Sequence, residues 1–358
     1  MRSNKKFDLY CWACDFSPNR GEGILAQHYI KKLSKKFKKK IFIMTPQGSF
    51  CSVNGIIKIN NKTTRNVSKL NFNFFENYLT PLVGILYLWV NYLRGRGICY
   101  VNFLPLWNIF LFFLLPPRTH LGPVTGFIFK KKVTGVNSFL RKYLNVLLFK
   151  INLKVLLFRQ NKIYLSTDLL KSLFTNNTKR KVSFNYLINL VEIENRINKK
   201  NIDFLIYNRN YSVKNNYSRN RLLKSLIELN LTIYAIGDHL LLSGVKNLGY
   251  VTRKKTIKLL KRTKFIINTG ENPYNLFTID AFNNHANIIY EKRFIHKIKF
   301  FTQQKLFFLD FHNNHKILNF FKKYSSNIKY SSLTKEFANI KNANSAYFDF
   351  IKIHYSKN

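Results

Sequence analysis

The sequence predicts an α/β protein built from two Rossmann-like, doubly wound domains that face a cleft. Three observations predict it. Short apolar runs alternate with segments of helical spacing, which is the pattern of parallel sheets covered by crossover helices. The alternation occurs in each half of the 358-residue chain. A polar stretch, 175–181, and a poorly patterned one, 192–200, separate the halves. Length alone favours two domains over one. The boundaries implied are 1–180, 181–330, and a tail at 331–358 that either packs back on the first domain or hangs loose.

In the first half, Phe7–Ala13 is a buried strand, 14–21 is a loop with Pro18 and Gly21, and Ile24–Phe37 is a helix. Its apolar residues Ile24, Leu25, Tyr29, Ile30 and Leu33 share one face, with lysines opposite. Lys40–Met44 is the next strand, closed by Thr45-Pro46-Gln47-Gly48. Helices follow at 75–93, 107–115 and 138–158, with strands at 98–103 and 119–122 between them. A further strand, 162–165, and helix, 166–174, complete the half. In the second half, strands are expected at 204–207, 232–236, 265–268, 287–290 and 306–309, and helices at 218–229, 254–264, 276–284 and 315–323. No internal repeat of fixed period is present.

Composition narrows the partners. Sixty Lys and Arg face sixteen Asp and Glu, a formal net charge of +44. The basic residues are spread along the chain, with clusters at 31–40, 130–132, 179–181 and 253–264. A solvated basic surface is one account of this. A second is a field that gathers anionic lipid or anionic substrate. Nucleic acid is not expected as a partner, because no motif of a nucleic-acid-binding module is visible. The four cysteines, Cys11, Cys14, Cys51 and Cys99, are too few for a disulfide framework. Cys11-x-x-Cys14 sits at a strand end without a second ligand pair, so buried thiols are expected and no metal site. Met1–Lys6 leads straight into a strand without a signal peptide pattern, and 79–93 falls short of a membrane span. The expectation is a cytoplasmic protein, peripheral to the inner face of a membrane.

Two motifs in the second half carry the chemistry. Arg209 and Lys214 follow the strand Phe204–Tyr207. A pair of preorganised cations beyond a strand end suits the growing charge of a departing diphosphate; Arg holds two oxygens at once and Lys acts as a point charge. Beyond the strand 265–268 come Gly270-Glu271-Asn272-Pro273-Tyr274-Asn275-Leu276-Phe277-Thr278-Ile279-Asp280. Pro273 suits the first turn of a helix, so free N–H groups near Tyr274, Asn275 and Leu276 would face an anion. Glu271, before the helix, could accept from sugar hydroxyls, and Asp280, about two turns in, from ribose hydroxyls. Each motif also has a plainer account: a basic residue among sixty, and a carboxylate that merely complements a helix dipole.

In the first half, Gly21, Glu22 and Gly23 link strand to helix where backbone N–H groups could approach a phosphate. Gly21–Ala26 also matches the dinucleotide pattern G-x-G-x-x-A, but the preceding loop is long and the next strand ends without an acid, which argues against a dehydrogenase. His120, Gly122 and Thr125 lie at another strand end, where backbone shaped by Pro123 could line an acceptor position or simply form a tight turn. Gly237-Asp238-His239 fits a loop near a nucleotide base. No D-x-D motif occurs, so no metal-holding carboxylate pair of that kind is expected, and no cofactor.

With these residues in hand, the chain resembles the GT-B glycosyltransferases of the retaining "group 1" family. The resemblance covers about residues 7–325 and is best over 204–291, where Asn247-Leu248-Gly249-Tyr250-Val251 is similar to the family's segment before the next helix. It implies a hexosyltransferase-type enzyme using a nucleotide-sugar donor and a glycan or lipid-linked acceptor. By the same resemblance Arg209 and Lys214 bind the diphosphate, Glu271 the donor sugar and Asp280 the ribose. Asn272, Tyr274, Asn275 and Leu276 would then line the donor. The family separates its two acids by seven residues, whereas eight separate Glu271 and Asp280, and the second acid here is Asp. Either Glu271 is bulged or Asn272 takes the first position. The alternatives from other classes are a binding protein of this fold without turnover and a basic nucleic-acid-binding protein.

Overall fold

The computed structural model describes residues 7–18, 21–62, 74–102, 104–125, 136–159, 163–165, 174, 182–184, 199–209, 217–268, 273, 275–295 and 306–324. The chain divides into two compact units, which meet in sequence between residues 188 and 189.

The first unit opens with β1 (Leu9–Trp12), α1 (Gly21–Phe37) and β2 (Ile41–Thr45). Then come β3 (Gly48–Val53), β4 (Ile56–Lys62), α2 (Phe74–Leu93) and β5 (Gly97–Tyr100). α3 (Ile109–Leu114), β6 (His120–Leu121) and α4 (Val136–Arg159) follow. β7 (Ile163–Leu165) and β8 (Val182–Phe184) pair in parallel with each other. The main sheet has the order β4-β3-β2-β1-β5-β6. β2-β1-β5-β6 pair in parallel, as the alternating pattern predicts. β3 and β4 correct that prediction: they run antiparallel at the edge next to β2. The turn between them is Asn54-Gly55, both with positive φ (51° and 81°), the conformation that hairpin turns of this kind require. On one face of the sheet, Tyr29, Ile30 and Leu33 of α1 are buried against Leu9, Cys11, Ile41 and Ile43. A second core gathers Trp12, Leu88, Leu111, Phe112, Phe149 and Leu156 from β1 and helices α2, α3 and α4. The four cysteines are free thiols, three of them buried.

The second unit contains β9 (Ile202–Asn208), α5 (Tyr217–Glu228), β10 (Ile233–Gly237), β11 (Val245–Asn247) and α6 (Arg253–Lys261). β12 (Thr263–Ile267), α7 (Leu276–Asn283), β13 (Asn287–Glu291), β14 (Leu306–Leu309) and α8 (Asn314–Tyr324) complete it. Its sheet has the order β11-β10-β9-β12-β13-β14, and every pair is parallel. Burial on both faces explains why its central strands read as near-continuous apolar runs. Phe204, Ile206, Ile233, Phe265 and Ile289 pack with Leu222 and Leu226 of α5 and with Ile317 and Phe321 of α8. The short strand β11 falls in a segment that the sequence marks only by its glycine motif, and β8 has no counterpart among the predicted elements.

Among the described residues no helix is long and apolar enough to cross a membrane. The helix expected at 166–174 lies outside the described residues except for Phe174, and so do nearly all of the expected linker and the whole tail 331–358.

Candidate functional site

In the second sheet the chain fills one half, β9 to β11, and then crosses to fill the other, β12 to β14. The strand order therefore reverses between β9 and β12. Such a switch point leaves a crevice outside the carboxyl ends of the two strands, where ligands of open α/β sheets bind. Residues 209 and 268 stand at those two ends.

Asn208, fully buried at the end of β9, organises the backbone there. Its Nδ2 donates to the carbonyls of Asp238 (3.0 Å) and His239 (3.2 Å) beyond β10. Its Oδ1 accepts from Nη1 of Arg219 (2.8 Å), in the first turn of α5. Arg219 is a buried guanidinium, and burial pushes it down to about 10. No sequence motif marks it. Arg219 and Asn208 together hold the β9 and β10 loops in register.

Arg209 is exposed. Its Nε donates to the Tyr207 hydroxyl (2.8 Å), and its guanidinium lies 5.4 Å from the centre of the Tyr207 ring. The same ring also meets Phe277, tilted by 32° with centroids 5.8 Å apart. Phe277 belongs to the first turn of α7. The Tyr250 hydroxyl donates to the Asp238 carboxylate on the same side, and both Tyr207 and Arg209 act on it electrostatically. Lys214, the second cation of the predicted pair, lies outside the described residues.

α7 starts at Leu276, as the expected range 276–284 has it. Pro273 stands before the helix, not in its first turn. Asn275 is the N-cap, its Oδ1 accepting from the Thr278 N–H (2.9 Å). This cap leaves the N–H groups of Leu276 and Phe277 without intrahelical acceptors. Asn268, buried at the end of β12, donates to Thr278 Oγ1 (2.8 Å) and to the Pro273 carbonyl (3.3 Å). The Tyr290 hydroxyl donates to that same carbonyl (2.8 Å). The turn entering the helix is thus fastened to β12 and β13. Glu271, Asn272 and Tyr274 lie outside the described residues.

Asp280 is the fifth residue of α7, little more than one turn in, not two. It is buried, not displayed on the surface. Nη2 and Nε of Arg253, in the first turn of α6, donate to its two oxygens at 2.9 and 3.2 Å. Burial pushes the carboxyl up despite the downward pull of Arg253. The pair ties α7 to α6.

The first unit treats its predicted residues differently. Gly21, Glu22 and Gly23 form the first turn of α1, where the sequence predicts a loop. The space that a Cβ of Gly23 would fill is already taken by the Ser17 backbone, at 2.3 and 2.4 Å. Gly23 is a glycine because the chain's own backbone crosses there. Glu22 is exposed as a residue, while the protein around its carboxyl and the charge of Asp15 push it above its ordinary value. Gly122 is closed by its own fold as well: a Cβ would lie 2.0 Å from the Val101 carbonyl oxygen. His120 and Thr125 are half-buried, and the Thr125 backbone pairs with Leu104 and Leu106.

Neither a protein-family model nor a curated protein sequence matches the chain. Solved structures do. The chain is similar to a glycosyltransferase from Rickettsia africae ESF-5 at 13% identity, over 98% of each chain, with a TM-score of 0.54. It is also similar to an alpha-glucosyltransferase solved with UDP and a 13-mer DNA containing an HMU base, at 9% identity, over 98% of this chain and 99% of that one, with a TM-score of 0.50. At such identities the likeness is one of fold: two Rossmann-like domains of the GT-B class.

Proposed function

We propose that this chain is a glycosyltransferase that moves a sugar from a nucleoside-diphosphate sugar to a glycan or lipid-linked acceptor. The observation that carries the reading is Arg209. It is an exposed guanidinium at the switch point of a fully parallel sheet, lying over Tyr207, whose ring also meets Phe277 in the first turn of α7. A nucleotide-sugar reacts by breaking the bond between its anomeric carbon and the diphosphate, and the electron pair goes to a phosphate oxygen. A cation and free helix N–H groups placed beside that oxygen stabilise the charge as it forms.

In this reading Arg209 and Lys214 hold the diphosphate without a metal, and Leu276 and Phe277 offer backbone N–H groups. Glu271 or Asn272 meets the donor sugar, and Tyr274 and Asn275 border it. Asp280, oriented by Arg253, borders the ribose, while Asp238 and Tyr250 flank the base. The acceptor lies with the first unit, near Gly21, Glu22, His120 and Thr125. Transfer with retention, hexose as the sugar, membership of the "group 1" family and a place in surface polysaccharide synthesis at the inner membrane face complete the proposal. The fold shared with the Rickettsia africae glycosyltransferase supports it.

Thermal unfolding with UDP, GDP, ADP, CMP or no nucleotide, at one salt concentration, tests the reading. A ligand at about 100 times its dissociation constant adds about 2.7 kcal/mol of stability. One diphosphate should raise the melting temperature of the wild type and leave Arg209→Ala unmoved. An equal response in the two proteins would remove Arg209 from the site.

A further inference from the structure

Helix α2 is apolar on every side. Between Leu79 and Leu93 it carries no charged residue. One stripe, including Ile85 and Leu88, is buried in the core. The opposite stripe is made of Leu79, Leu82, Val83, Leu86, Val90 and Leu93, and all six are exposed. Their spacing of three and four places them on one face. A helix that buries one side and still shows an unbroken aliphatic row on the other has a second apolar environment to meet. The exposure continues on α3, where Phe110 and Phe113 are 68% and 53% exposed. The two helices adjoin, the Trp89 indole donating to the Leu114 carbonyl (2.7 Å). α4 adjoins α3 in turn, with Arg159 donating to the carbonyls of Phe112, Phe113 and Leu115. Its outer face carries Tyr143 and Leu147, then Lys150 and Lys154, at the same helical spacing.

Beyond Glu76, in the first turn of α2, the charges along these helices have one sign. Between Glu76 and Asp168 the sequence holds no Asp or Glu, while Arg94, Arg118, Lys150, Lys154 and Arg159 are among its basic residues. That combination decides the occupant. A second copy of the chain docking by two-fold symmetry would set this face against itself and bring like charges together. A bilayer containing anionic lipid offers an acyl region for the apolar row and phosphates for the cations.

We infer that α2 and α3 dock on an anionic phospholipid membrane, their exposed side chains entering the headgroup boundary while the basic side chains of α4 and its neighbours meet lipid phosphate. This gives the proposed membrane location a specific face, and it does not depend on the transferase reading.

Flotation with phosphatidylcholine vesicles, with and without phosphatidylglycerol, tests it on the full chain. The wild type should float with the anionic vesicles and keep part of its binding at about 0.5 M salt, where electrostatic attraction alone is screened. Leu86→Glu combined with Phe110→Glu should weaken binding by about tenfold or more. Lys150→Glu combined with Lys154→Glu should weaken it at low salt. As a check needing no variant, brominated phosphatidylcholine in the anionic vesicles should quench tryptophan fluorescence, since Trp107 is exposed beside α3. Unquenched fluorescence, or equal flotation of the Leu86→Glu/Phe110→Glu protein and the wild type, would overturn the inference. A wild-type dimer that this variant turns into a monomer would overturn it in favour of a second copy. The nucleotide-induced melting shift, measured on the same variant, keeps the two proposals apart. If it is absent from both proteins while flotation holds, the transferase reading fails and the membrane face stands.

Discussion

At the switch point of the second sheet, the strand ends carry the exposed Arg209 together with Asn208 and Asn268, whose side chains reach to the loop beyond β10 and to the start of α7. At the matching point of the first sheet, between β1 and β5, the polar groups close on one another. Asn102 Nδ2 donates to the Asp15 carbonyl (2.6 Å), Ser17 N–H donates to Asp15 Oδ1 (2.8 Å), and the Gln27 amide donates to the Phe16 carbonyl (2.7 Å). Gly23 and Gly122 bring backbone against backbone. Side chains hold both edges, but at the first, two glycines also bring main chain directly against main chain. Two sheets of the same topology at their switch points therefore present different chemistry: a charged, addressable edge in the second unit and a tightly sealed one in the first.

The largest effect should come from breaking the second unit's edge at its buried charge. Arg253→Ala leaves the Asp280 carboxylate, 4% exposed, without its cation. Removing one partner of such a pair costs about 3–5 kcal/mol. Urea unfolding should show that loss, and Arg253→Met with Asp280→Leu should recover much of it. A small loss for Arg253→Ala would mean that the carboxylate is neutral or solvated, and the contrast between the edges would weaken.

Gly122→Ala probes the other edge. A Cβ there meets the Val101 carbonyl oxygen at 2.0 Å, and both partners are main chain. Overpacking of this kind costs about 1–3 kcal/mol. The loss should appear in urea unfolding of the first unit, with the nucleotide response of the second unchanged. If Gly122→Ala is neutral, β5 and β6 separate readily and the first edge is not sealed.

What the sequence revealed follows the same division. The parallel cores were legible, because strands buried on both faces make apolar runs such as Phe204–Tyr207 and helices between them keep a buried stripe. The position of Arg209 beyond a strand end was legible, because it stands two residues past such a run. Arg219 was not: its burial depends on packing at the end of β9, and nothing in its neighbours separates it from the other basic residues. The Arg253–Asp280 pair joins two helices across 27 positions, beyond any spacing rule. Pro273 suggested a first helical turn, since proline is frequent there, but it stands three residues ahead of α7. The better signal was Asn275 three residues ahead of Thr278, a side-chain cap.

The smallest expected effect lies at the antiparallel edge that the strand-and-helix alternation concealed. Asn54-Gly55 between the runs Gly48–Val53 and Ile56–Lys62 is a strong hairpin signal. It is masked because these strands mix polar with apolar residues and are attached to an otherwise parallel pattern. Gly55 has φ of 81°, and an added Cβ would approach Lys35 Cβ at 3.1 Å and the Lys31 carbonyl at 3.2 Å. Gly55→Ala therefore places a side chain in the left-handed region and against α1 at once, a cost of about 1 kcal/mol. Amides of β3 and β4 should exchange about fivefold faster, while those of β1 and β5 keep their protection. Unchanged exchange would show that the turn relaxes without strain. Acceleration spreading to β1 would show that the hairpin and the parallel core open together, and the antiparallel edge would then belong to the sealed sheet instead of lying beside it.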